Sequence, residues 1–434
     1  MTENNKRSRV TSANEDRISN LPGHLIDVIL ERIPIEDVVR TSILSRMWRY
    51  KWTTMRELVF DEQFSKKLEN YGMLGTHGLI RVINQVLLLH IGPISKFHLC
   101  IPNIPFDSFK EVDQWILFLS TKGVMDFSLI NFNRHYRLPS HMFSCLELRT
   151  LEIHHCTFNP PLQFEGFLNL ETLVLVNVDF MPNSGGNVIN LPQLKKLSLC
   201  HCTNVYNFTI KAANLQELLA DTFPDMLLQL LHSQRIVIVN VSLLNPVQVQ
   251  RTNMAMILSK MPQIEKFFID GPFLKSLVAG RPIWLSSRLN TLKHLWLKKI
   301  SLGDLDQLNA ILCLLQNSPN LETLFIAHAN EEPLVMDDDA QQASNPLESP
   351  NCFNKKFDRL EWVELSCIKG TRPQMLFIKL LLACSPSLEL FSIEPNGTLD
   401  VNRRLNILMD ILKFPKASPK AAMFCLDQSL AMHI

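Results

Sequence analysis

A chain of 434 residues, 46% hydrophobic and 20% charged, has enough apolar surface to bury a core and falls outside the disordered class. Forty-three Lys+Arg against 42 Asp+Glu leave a formal charge of +1, which removes the whole-molecule field that nucleic-acid binders rely on. The polar opening MTENNKRSRVTSANEDR lacks the apolar centre of a secretory signal, and no run approaches the roughly 18 apolar residues of a membrane helix, so the expectation is a cytosolic or nuclear protein with neither membrane nor nucleic acid as partner.

In chain order, residues 1–15 read as a solvated tail whose KRSR, Lys6 to Arg9, is a charge cluster. Asp16 to Trp52 follows a helical pattern. Pro22 opens and Pro34 closes a first helix with the stripe Leu25, Ile26, Ile29, Leu30 and Ile33. A second helix is expected through Ile35, Val38, Val39, Ile43 and Leu44, and a third with Met47, Trp48 and Trp52. Three such short helices cannot enclose a stable core, so their apolar faces need a partner.

Beyond them the spacing L-x-x-L-x-L-x-x-C/N-x-L recurs. LRTLEIHHCTF at Leu148 fits every marked place; LETLVLVNVDF at Leu170 and LKKLSLCHCTNV at Leu194 follow. Weaker units stand at Ile94, Val124 and Leu215. From Ile264 through Leu292 to Leu321 the units lengthen, which makes room for a helix, and Leu305, Leu308, Leu312 and Leu315 mark one. Pro192, Pro262, Pro319 and Pro386 sit two residues before a repeat's first apolar residue, where each is expected to stop a helix and begin an extended segment. An acidic loop is expected at about 330–350.

The fold class implied is α/β: a helical segment followed by an irregular leucine-rich-repeat solenoid, a curved parallel sheet with outer helices, in which no unit buries its apolar face alone.

Residues 16–60 strongly resemble an F-box: Leu21 and Pro22 stand at its opening pair, Ile29 and Leu30 at its Ile-Leu pair, and Val38, Leu44 and Trp48 at its later apolar places. FDRLEWVELSCIKGTRPQMLFIKLLLACSPSLELFSIEP, with the helix and ILKFPKASPKA after it, resembles the FBD segment of plant F-box proteins that carry leucine-rich repeats. The resemblance implies repeats over 61–350, an FBD segment over 351–425 that continues them, and a tail over 426–434. It also implies that the seven F-box residues bind a Skp-type adaptor, and through it a cullin, while the repeats hold a target protein. The chain is then a non-catalytic receptor of a ubiquitin ligase; an interaction scaffold outside a cullin complex is the alternative.

Alternate strand residues face opposite ways. The open face is therefore expected to present Glu152, His154 and His155, then Val174, Val176 and Asn177, then Ser198, Cys200 and His201, and further on Phe268, Trp296, Lys298, Lys299, Phe325 and His328. Exposed Trp and Phe are the anchors a protein partner grips. His154, His155 and Cys156 with Cys200, His201 and Cys202 invite a zinc reading, but the triplets lie two rungs apart, roughly 10 Å, too far for four donors at about 2.0–2.3 Å from one ion. No metal or cofactor is expected. The ten cysteines read as buried small hydrophobes in a reducing compartment. Without a nucleophile elbow, phosphate loop, dinucleotide loop or H-E-x-x-H motif, no residue is named as catalytic.

Overall fold

A computed structural model of the chain describes residues 21–35, 37–38, 48–70, 75–103, 109–133, 135–181, 188–222, 224–231, 233–243, 254–278, 285, 288–329, 346–348 and 356–426. Most of the expected second helix and of the acidic loop lie outside these residues. The chain divides into two compact units, Met1–His155 and Cys156–Ile434.

In the first unit α1 (Gly23–Leu30) and a 3-10 turn, Trp48–Thr54, precede β1 (Glu57–Phe60), α2 (Glu62–Asn70), α3 (Gly75–Leu89), β2 (Lys96–Ile101), α4 (Lys110–Ser120), β3 (Asp126–Asn131) and β4 (Thr150–His154). The expected third helix is thus a 3-10 turn, and Trp52 and Thr53 within it are buried. The strands pair in parallel in chain order, with Leu58, Phe97, Phe127 and Leu151 in register and all buried. Parallel neighbours need a crossover between them; α2 with α3, and then α4, supply it for β1–β2 and β2–β3. The Trp115 indole donates to Asn84 Oδ1 at 2.7 Å and ties α4 to α3.

The second unit contains β5 (Thr172–Val176), β6 (Lys196–Cys200), β7 (Glu217–Thr222), α5 (Pro224–Leu230), β8 (Ile238–Leu243), α6 (Met254–Ser259), β9 (Lys266–Asp270) and α7 (Gly271–Val278). It continues through β10 (His294–Ile300), α8 (Leu305–Asn317), β11 (Thr323–His328), β12 (Trp362–Ile368), α9 (Arg372–Cys384), β13 (Leu390–Pro395), α10 (Val401–Leu412) and β14 (Ala422–Cys425). Each strand is parallel to the next. One inward row runs Leu173, Leu197, Leu218, Val239, Phe267, Leu295, Leu324, Val363, Phe391, every member buried. The FBD-like segment supplies β12 to β14 and so continues the same ladder.

Local chemistry sets the boundaries. Asp304 caps α8 by accepting from the Asp306 and Gln307 amides at 3.0 and 3.3 Å, and Asp400 caps α10 through Arg403 at 2.9 Å. Pro262, Pro319 and Pro386 follow α6, α8 and α9 as expected. Pro192 does not stop a helix: the segment before it is a short strand, Val188–Asn190, because a 24-residue repeat leaves no length for a helical return.

The repeat's two-residue gap before its Cys/Asn place has a backbone cause. Strict alternation would turn that place outward. His155, Asn177, His201, Lys299 and Cys367 adopt left-handed backbone with φ of 52 to 61°, inserting one extra residue as a bulge does. Parity is thereby reset, and Cys156, Val178, Cys202, Ile300 and Ile368 turn inward and are buried.

Candidate functional site: an apolar helix stripe and an open sheet face

On α1 the expected single stripe is split in two. Ile26 and Leu30, one turn apart, are fully buried, whereas Leu25, Val28 and Ile29 are 42, 47 and 38% exposed. Positions i, i+3 and i+4 share one helix face, so α1 carries a second, outward apolar stripe. Pro22 is exposed at its start, and its carbonyl accepts from the Leu25 and Ile26 amides at 2.9 and 3.3 Å. Leu21 is half-buried. Leu30 and Val38, expected to contact the adaptor, are fully buried and act as internal supports instead: a helix packed on its own unit must turn some of its apolar residues inward. Leu44 and the side chain of Trp48 lie outside the described residues. Sequence reasoning passed over Val28 as a contact, although its spacing from Leu25 was the available signal.

On the first unit's open face His98, Ser128 and Glu152 stand in register on β2, β3 and β4. Ser128 Oγ donates to Glu152 Oε2 at 2.8 Å, and His154 Nε2 lies 3.0 Å from Glu152 Oε1. The His154 hydrogen bond, with that of Ser128 behind it, holds the Glu152 carboxyl below the usual range against the opposing effect of burial. Glu152 thus bridges Ser128 and His154 and fixes a polar patch on this face.

In the second unit Val174 and Val176 face outward and half-exposed beside Ser198 and Cys200 in register. Asn177, His201 and Lys299 project from their left-handed positions; so does His155 in the first unit. Asp221 gathers the His201 amide at 3.1 Å, the His201 ring at 3.3 Å and the Ser242 hydroxyl. Phe268, Trp296 and Phe325 are neighbours on β9, β10 and β11, with the first two rings stacked at 4.1 Å and 8° between planes. Lys298 and Lys299 are exposed. His328 departs from expectation: it is 4% exposed and faces the core.

Among the described residues no three His, Cys, Asp or Glu side chains converge as a metal site. Burial pushes the Cys100 and Cys145 thiols up to about 11 and Cys202 to about 12, and raises Cys156 further. These thiols stay protonated and suit packing, not attack.

The F-box domain family matches residues 18–60, and the family of leucine-rich repeats of the FBD-associated F-box protein At5g56370 matches 112–326. The F-box/FBD/LRR-repeat protein At1g13570 of Arabidopsis thaliana is 33% identical over 95% of this chain and 99% of its own length. The chain belongs to the F-box/FBD/LRR-repeat family. A more distant relative, the FBD-associated F-box protein At4g10400 of the same plant, is 25% identical over 80% of this chain and 85% of its own. The exposed stripe of α1 therefore lies inside the F-box, and the aromatic strands lie on the F-box protein's repeats.

Proposed function

We propose that this F-box protein is the substrate-recognition subunit of a Skp–cullin–F-box ubiquitin ligase, acting in the cytosol or nucleus. The observation that carries the reading is the outward stripe Leu25, Val28 and Ile29 within the F-box match, an apolar helix face with the spacing a partner helix or groove takes. Pro22, Leu25, Val28 and Ile29 form the adaptor contact, and Leu30 and Val38 hold it in place from beneath. The open sheet face holds the target. Transfer is then accelerated by proximity: target lysines held beside the charged conjugating enzyme react as if intramolecular, and this chain supplies no catalytic group.

Co-purification of the full chain with a Skp-type adaptor tests it, with Ile29→Asp as the variant. Capture by the wild type and loss in a variant with an unchanged melting profile is the expected result. A folded wild type that captures no adaptor removes the ligase reading and leaves a repeat scaffold working outside a cullin complex.

A further inference from the structure

The open face of β9 to β13 changes in character along the ladder. Phe268, Trp296, Phe325 and Glu364 are successive register partners, so the aromatic row ends on a carboxylate one strand, about 4.8 Å, from the Phe325 backbone. Trp362, two residues before Glu364 on the same face of β12, is 45% exposed. Across Glu364 on β13 stands Ser392, with Glu394 two residues further on.

The charges select what can cover this aromatic face. On earlier rungs opposite signs meet: Lys196 pairs with Glu217 at 2.9 Å, Lys195 with Glu171 at 2.5 Å and Lys293 with Glu265 at 3.6 Å. From β11 to β13 the positions on this face are Thr323, Phe325, Ala327, Trp362, Glu364, Ser366, Leu390, Ser392 and Glu394, of which the two serines are buried, without a lysine or arginine. Among the described residues Glu364 has no ion pair. Burial first, and Glu394 second, hold its carboxyl above the usual range, a cost that an incoming cation relieves. Lys298 and Lys299 on β10 repel such a cation and confine it to the β11–β13 side.

We infer that this face takes an extended target segment through an arginine or lysine side chain, its cation paired with Glu364 and lying along the rings of Phe325 and Trp362. Carboxylate and aromatic face together suit a guanidinium or ammonium group, through ion pairing and cation–π attraction. The inference rests on the reading that the repeats hold a target, and it names the chemistry of that target.

The test is selection of a random dodecapeptide display library on the immobilised full chain, with Glu364→Gln and Glu394→Gln carried in parallel. Both substitutions keep side-chain volume, and their thermal midpoints are compared with the wild type. Peptides retained by the wild type are expected to share a position fixed as arginine or lysine. Their affinity should fall about tenfold on Glu364→Gln, and about tenfold when that residue is replaced by citrulline or norleucine. The two losses should not add, because they remove one contact. Retained peptides with no common basic position, equal affinity for wild type and Glu364→Gln, or no peptide retained by the folded wild type would overturn the proposal. Adaptor capture on the same preparations separates the two readings: adaptor bound without basic peptides rejects only this inference, and the converse rejects only the ligase assignment.

Discussion

The Asn177 amide donates to the carbonyl of Cys200 on the next rung at 2.9 Å while Asn177 itself holds a φ of 52°. One residue thus joins two rungs and resets the strand's parity. Left-handed backbone costs most side chains about 1–2 kcal/mol, and asparagine and glycine less. Asn177→Val is therefore expected to destabilise by about 1–2 kcal/mol and Asn177→Gly by little, as read by urea midpoints. Equal effects of the two would mean that the bulge carries no strain.

His328 gives the molecule an acid-sensitive point. Burial lowers its imidazole from 6.5 to about 4, and among the described residues neither ring nitrogen has a hydrogen-bond partner of good geometry, although the nearby Ile300 backbone favours the proton. The unfolded chain therefore takes up a proton that the fold resists. The stability involved is fully present above about pH 6.5 and is lost as pH falls towards about 4, on the order of 3 kcal/mol in total. His328→Leu should lose less stability than the wild type between pH 7.5 and pH 5. Parallel losses in chemical denaturation would remove His328 as the cause.

Neighbours on α1 should separate folding from binding. Leu30 is fully buried, and Leu30→Ala is expected to cost about 2–5 kcal/mol. Ile29→Ala, at a position 38% exposed, should cost under about 1 kcal/mol yet weaken adaptor capture. Thermal melts and adaptor pull-downs on both variants measure the split; a larger stability loss at Ile29 than at Leu30 would reverse the assignment of the two faces.

Gln374 closes the entry to α9. Its buried Oε1 accepts from the Lys369, Gly370 and Thr371 amides at 3.0, 3.0 and 3.3 Å. Leaving those donors unmet in Gln374→Leu is expected to cost on the order of 3 kcal/mol, whereas Gln374→Glu keeps the acceptor and should cost less. Calorimetry of the two variants decides whether the acceptor or the packing matters.

Much of this was legible in the chain. Leu151, Ile153 and Cys156 display the gap that the bulge creates, and Leu308, Leu312 and Leu315 display the α8 stripe. Two failures have physical causes. LETLFIAHAN aligns His328 with Asn177, so it reads as outward; but β11 has no left-handed residue at that place, and plain alternation carries His328 into the core. The β8 strand, IVNVSL, went unseen because it lacks the leucine and cysteine marks, being recognisable only by its β-branched residues. On α1 every apolar residue carries the same signal, and only packing decides that Leu30 turns in and Ile29 out.

Leu295, Trp296 and Leu297 stand side by side on β10, the leucines buried and the tryptophan outward. Two vocabularies are thus interleaved on one strand, one read by the fold and the other, on the function proposed above, by the target. If the outward face reads the target as proposed, exchanging an outward word such as Trp296 would change the target read while the buried leucines that fold the strand stay unchanged.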